Sequence, residues 1–320
     1  MRLARLTHAN TCARAAGRRA AATRPTHGRS DAEYMALLQE QLAPLYLESC
    51  LQLRPVWRAV TAAVRADPTP RVILDLASGP GEPACSLATR FPAAEVVASD
   101  SSEEMLIHAQ QRVAEGNLSR AVQVHRIDML QLHQLAAPGA DQPPTCDVVT
   151  CSLGLHVLPD AALDGCLRGV YTLLRPGGQF VAAVWDTLPI MDIGSRCLSR
   201  LLGRSFELPL SPTRLDDSQA DALLRTAGFV LDGDKHGASG EVKLTLGEAG
   251  TDRAFMLGMM PFMGSIAKLA ETQSSVFELA RSAFEEETRH LVDSSGQLIL
   301  PEARFRLLSA SKKSREILCH

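Results

Sequence analysis

The stretch Val72-Ile73-Leu74-Asp75-Leu76-Ala77-Ser78-Gly79-Pro80-Gly81-Glu82-Pro83 constrains the fold of this 320-residue chain more than any other. Its apolar start, broken only by Asp75, predicts a strand buried on both faces, as in a parallel sheet. Small residues and two glycines follow, and Glu82 and Pro83 suit a first helical turn. Proline lacks the N–H that would be left unpaired there, and the helix dipole favours an acid. A strand passing through a Gly-rich turn into a helix is how doubly wound α/β sheets hold a nucleotide-like ligand. Glycine lets the main chain approach that ligand because no Cβ intervenes.

The loop also restricts the ligand. A dinucleotide fold would carry G-x-G-x-x-G, with a pyrophosphate on the helix N-terminus. Here only Gly79 and Gly81 are present, Asp75 precedes them, and Glu82 stands where phosphate charge would sit. That pattern argues for a cationic or zwitterionic ligand and against a nicotinamide-dependent oxidoreductase.

Further strands end on polar residues. Glu95–Ser99 runs into Asp100, 19 residues beyond Gly81. The tips of the first two strands are neighbours in a doubly wound sheet, so Asp100 can accept both hydroxyl protons of a ribose. Ser101 and Glu104 have capping-box spacing at the next helix. Val122–Ile127 leads to Asp128 and Met129, and Cys146–Cys151 leads to Ser152-Leu153-Gly154-Leu155-His156. An imidazole with its ordinary pKa near ~6.5 suits proton transfer at neutral pH, which makes His156 the candidate acid or base; structural packing is the alternative for it. Asp160 is expected to cap the next helix. Gly177, in Arg175-Pro176-Gly177-Gly178, is expected to end it. Gln179–Val184 then forms the fifth strand and points Trp185 toward a substrate.

Taken together, Asp75 with Gly79-x-Gly81, Asp100-Ser101-Ser102-x-x-Met105-Leu106-x-x-Ala109, Asp128, the segment after Cys151, and Arg175-Pro176-Gly177-Gly178 occur in order over roughly residues 70–235. In order and spacing this is similar to the class I S-adenosylmethionine (SAM) methyltransferases, nearest in flavour to the ubiquinone/menaquinone-biosynthesis type. Ala77 stands where the family has the first glycine of its loop. The resemblance implies SAM as cofactor, with Asp75, Ala77, Gly79 and Gly81 around its methionine part. It implies Asp100 and Ser101 at the ribose, Asp128 and the Met129 N–H at adenine, and Ser152 and Leu153 behind the cofactor. It implies methylation, on oxygen or carbon, of a small and partly hydrophobic acceptor. No Asp/Asn-Pro-Pro-Tyr follows the fourth strand, which argues against amide or adenine N-methylation. A non-catalytic SAM-binding subunit of an assembly is the alternative. The fold expected is a doubly wound, Rossmann-like α/β domain. Its seven-stranded sheet is mostly parallel with one antiparallel strand, and a helical C-terminal extension follows.

On this reading residues 31–248 are the methyltransferase domain. Leading helices over 31–66 carry the apolar stripes Leu37, Leu38, Leu42, Leu45 and Val56, Val60, Val64 at helical spacing. Such helices place Tyr34, Tyr46 and Trp57 either toward substrate or in the core. The insertion 187–215 builds an acceptor lid or a helix on the sheet edge. Phe229–Asp234 and Val242–Leu246 read as the antiparallel pair that completes the sheet. Residues 249–320 form the extension, dominated by one long amphipathic helix from Ile266 to Leu291. Residues 1–30 hold seven arginines and no Asp or Glu. They resemble an organellar transit peptide, mitochondrial more than plastid, or an uncleaved tail on a cytoplasmic protein. The rest of the chain is acidic and aromatics are 4% of residues, so no nucleic-acid partner is expected. No apolar run reaches the ~18 residues of a membrane span. Eight cysteines without C-x-x-C or a His cluster read as reduced intracellular thiols and not as a metal site.

Overall fold

The computed structural model describes residues 44–132, 146–208 and 211–314; the arm 1–30, the stripe Leu37, Leu38, Leu42, and Tyr34 lie outside the described residues. A helix over residues 44–50 (α1) passes through a 3-10 turn, Leu51–Leu53, into α2, Arg54–Ala63. Pro55 sits in the first turn of α2, where its missing N–H costs no bond, and Val56, Trp57 and Val60 are buried. Then follow β1 (Val72–Leu76), α3 (Ala84–Arg90), β2 (Glu95–Asp100), α4 (Glu103–Glu115), β3 (Val122–Arg126), β4 (Cys146–Ser152), α5 (Asp160–Leu173) and β5 (Leu174–Thr187). These five strands are parallel, in the order β3-β2-β1-β4-β5. The register sets Asp75 beside Ala98 on one side and Thr150 on the other.

The chain continues through α6 (Pro189–Leu202), α7 (Asp217–Thr226), β6 (Val230–Leu231), β7 (Ser239–Val242), β8 (Thr245–Glu248), α8 (Asp252–Gly258), α9 (Met263–Ala270), α10 (Val276–Thr288), β9 (Gln297–Ile299) and β10 (Ala303–Ser311). β10 lies antiparallel beside β5, and its outer edge carries β6 at one end and β7 at the other. One strand thus runs against the others, as expected, in a sheet of eight strands. It is not one of the two expected from the sequence. Those segments pair with β10 instead of with each other. β10 has nine residues and is almost wholly buried, which suits an interior strand, whereas β6 and β7 are short and partly exposed. The C-terminal segment is therefore not simply an extension, because its last strand completes the main sheet. Leu246 belongs to β8, which pairs with β9 in a separate two-stranded sheet.

A second apolar cluster joins α6 to α8, α9 and α10. The long amphipathic helix is two helices, broken before α10 at Ser275, which has a left-handed φ of +60°. The insertion helix α6 packs on α10, with Arg196–Glu287 at 2.8 Å and Arg200–Glu286 at 2.7 Å. Gly194 admits the Phe262 ring, which a Cβ would meet at 2.1 Å.

Three helix ends differ from expectation. Ser102, not Ser101, caps α4, its Oγ accepting from the Met105 N–H at 3.4 Å. Pro159, not Asp160, precedes α5. That helix ends at Leu173 with Leu174 already extended. Gly177, at φ +78°, instead turns the chain within β5 and donates its N–H to Lys312 O at 2.9 Å.

Candidate functional site

The loop after β1 is built around Asp75, which is fully buried. Its Oδ2 accepts from Ser78 Oγ at 2.6 Å and from the Ala84 N–H at 3.1 Å, and its Oδ1 accepts from Thr150 Oγ1 at 2.6 Å. Burial pushes the carboxyl up to about 7 against the pull of those three bonds. Asp75 therefore spends its oxygens on the loop, the start of α3 and β4. Gly81, at φ +94°, lies against α4, where a Cβ would come 3.2 Å from Ala109 Cα. Neither residue is among those lining the cavity; the bonds of Asp75 and the close packing of Gly81 shape the loop.

The cavity, of about 580 Å³, opens at the C-terminal ends of β1, β2 and β4, where the strand order reverses. Ala77, Gly79, Asp100, Ser101, Asp128, Met129, Ser152, Leu153 and His156 all line it, so the structure brings together nine of the residues singled out from sequence. Ala77 keeps a left-handed φ of +51°, the conformation a glycine would take there without cost. Gly79 has nothing within 4 Å of a Cβ position and faces open space. At the tip of β2, Asp100 accepts from the Gly79 N–H at 3.0 Å through Oδ2 and from the Ser102 N–H at 2.9 Å through Oδ1.

The remaining wall comes from further along the chain. Tyr46 and Cys50 reach it from α1, Leu53 from the 3-10 turn, Trp57 from α2 and Trp185 from β5. Cys50 follows Tyr46 by one helical turn, a spacing that could have revealed it. Burial pushes the Cys50 thiol up to about 11 and raises the Tyr46 phenol further, so neither ionises near neutrality. No described residue of the 187–215 insertion lines the cavity.

The wall carries the carboxylates Glu82, Asp100 and Asp128, and among the described lining residues there is no Lys or Arg. Arg112 lies behind Glu82, at 3.6 Å, with its Nε on Pro80 O at 2.8 Å. Burial, and then the Arg214 guanidinium, push the His156 ring down to about 4, so it is neutral at pH 7. Buried Nδ1 of His156 and Oγ of Ser152 have no hydrogen-bond partner among the described residues. Among the described residues no group of His, Cys, Asp and Glu could hold a metal ion, and no helix is long and apolar enough to cross a membrane.

Residues 73–178 match the family described as a methyltransferase domain. The chain is 34% identical over 195 residues to the ubiquinone/menaquinone biosynthesis C-methyltransferase of Dinoroseobacter shibae, covering 55% of this chain and 73% of that protein. It is 32% identical over 124 residues to the demethylmenaquinone methyltransferase of Lactobacillus johnsonii, covering 38% and 47%. To that of Thermus thermophilus it is 33% identical over 133 residues, covering 42% and 56%. It thus spans about half the length of the last two. With that identity over most of the first relative's length, the chain belongs to the class I methyltransferases that use S-adenosylmethionine as cofactor.

Proposed function

We propose that this enzyme methylates a small, uncharged, partly apolar acceptor, on oxygen or carbon, and that the cavity at the tips of β1, β2 and β4 is where it does so. The observation that carries this reading is Asp100, set beside the Gly79 loop with each carboxylate oxygen retaining a free acceptor position for a ribose hydroxyl. Asp128 and the Met129 N–H are assigned to adenine. Ala77, Gly79, Ser101, Ser152 and Leu153 are assigned to the rest of the cofactor. The donor set suits it: SAM carries net positive charge and the wall is acidic. The unpartnered Ser152 Oγ and the open space at Gly79 leave room and a hydrogen-bonding group for it.

When bound, the cofactor supplies a methyl group on a sulfonium, and charge disperses as the methyl moves. Little acid assistance is needed, so alignment can supply most of the acceleration, up to about 7–11 kcal/mol in favourable cases. Tyr46, Trp57 and Trp185 are the aromatic residues of the wall and are assigned to orienting the acceptor and excluding water. Among the described lining residues no Lys or Arg is present to pair with an anionic acceptor, which favours a neutral one. His156 is a weak base with its pKa at about 4. Its assigned part is to orient the acceptor by a hydrogen bond, not to deprotonate it outright.

Mass-spectrometric detection of S-adenosylhomocysteine, with phenols, quinone precursors and lipophilic acids as acceptors, tests the reading. Turnover of phenols or quinone precursors is expected. Turnover confined to the acids would overturn the uncharged-acceptor assignment.

A further inference from the structure

We propose that Arg214 is a positioning residue for this cavity, a strap that fastens the loop carrying His156 and Leu158 to the segment leading into α7. The inference rests on reading the cavity as the methyl-transfer site.

The loop in question joins β4 to α5 and supplies His156, Val157 and Leu158 to the wall. Leu155 and Leu158 are buried in the apolar core, but the main chain around them makes few hydrogen bonds of its own. One 3-10 turn, Leu155–Val157, gives the weak bonds Val157 N–H to Gly154 O and Leu158 N–H to Leu155 O, both 3.2 Å. Pro159, next in line, has no N–H to donate. The helix behind it has no side-chain cap.

Arg214 supplies what the loop lacks. Its Nη1 donates to His156 O at 2.7 Å and to Ser211 O at 3.2 Å, and its Nη2 donates to Leu158 O. Its Nε donates to Asp160 Oδ1 at 2.7 Å. One planar fork thus closes both carbonyls of the loop and the first acid of α5, a geometry lysine cannot reproduce. The Arg214 side chain is 14% exposed, whereas that of Asp160 is 79% exposed. The ion pair therefore adds little, and the carbonyl bonds carry the function.

The strap is itself anchored. Buried Arg306 on β10 donates to Leu215 O, next to Arg214, and pairs with Asp217 at the start of α7. The hydrogen bonds run from the antiparallel strand, through residues 214–217, to the wall of the cavity. Residues at the end of the insertion thereby fix a wall they do not line.

The test compares Arg214→Gln, Arg214→Lys and Asp160→Asn in the full chain by amide hydrogen exchange and by NMR titration of the His156 ring, assigned with His156→Gln. Arg214→Gln should speed exchange over residues 155–158 by about tenfold or more, the factor one charge-assisted hydrogen bond is worth. It should also raise the His156 pKa toward its ordinary value and weaken SAM binding. Arg214→Lys should keep the ring depressed and restore part of the protection and of the affinity. Asp160→Asn should behave as wild type. Unchanged exchange and titration in Arg214→Gln, or an equal effect of Asp160→Asn, would overturn the strap. SAM calorimetry on the wild-type chain is read separately: no uptake there removes the methyl-transfer reading, while the exchange data still decide the strap.

Discussion

Thr150 on β4 donates its hydroxyl to Asp75 Oδ1 on β1 at 2.6 Å, inside a fully buried site. The bond crosses the two strands between which the sheet order reverses, at the floor of the loop. Asp75→Ala would orphan the Thr150 hydroxyl and the Ala84 N–H together, whereas the Ser78 hydroxyl keeps the main-chain O of residue 75 at 3.1 Å and the Ser99 N–H. A loss of about 3 kcal/mol or more is expected in chemical denaturation, since each buried orphan costs ~1–3 kcal/mol. Asp75→Asn should lose less, because hydroxyls can reorient toward an amide.

The same residue gives a pH dependence. Its folded pKa, about 7, lies above the ordinary 3.8, so the folded state binds more protons in that window. Its contribution is present below pH 3.8 and fades as pH rises toward about 7. The stability of wild type relative to Asp75→Asn should fall across that interval in denaturant titrations at several pH values.

His156 acts in the opposite sense. The unfolded ring takes up a proton near its ordinary 6.5, while the folded ring resists until about 4. Wild type should therefore lose stability relative to His156→Gln as pH falls from 6.5 toward 4. Above pH 6.5 the ring should impose no inflection on the rate. An inflection there that His156→Gln abolishes would return His156 to the role of a general base.

Asp100→Ala should weaken SAM binding by roughly a hundredfold or more, because hydrogen bonds to a charged group are worth about 1.5–3 kcal/mol each. Calorimetry checks the affinity and far-UV circular dichroism the fold. Unaltered affinity with an intact fold would remove the ribose assignment.

Both tryptophans of the chain, Trp57 and Trp185, line the cavity. Intrinsic fluorescence should change saturably on SAM addition, and Trp57→Phe and Trp185→Phe should each retain part of the signal. A flat titration, alongside binding seen by calorimetry, would place the cofactor elsewhere.

The sequence by itself determined the parallel half of the sheet and the tips that meet at the cavity. β1 with its glycine loop, Asp100 and Asp128 are strand–turn–helix corners, whose shape depends on neighbours a few residues away. Apolar strands, small loop residues and acids at strand ends are therefore visible as short patterns. Local reading also located Ala77, which keeps the left-handed backbone of the glycine it replaces. It did less well at helix ends, where Ser101 and Ser102 compete for one cap and geometry alone chooses Ser102.

What only the tertiary structure decided depends on distant partners. β10 takes the place beside β5 because a long buried strand must satisfy both of its edges, and the candidates lie more than 60 residues apart in sequence. The role of Asp75 follows from Thr150, 75 positions away, and the hold of Arg214 on the loop spans 58. No local pattern encodes such pairs, since an isolated carboxylate or guanidinium reads the same whether it meets a ligand, a carbonyl or water. Burial and hydrogen-bond geometry select among them once the chain has closed.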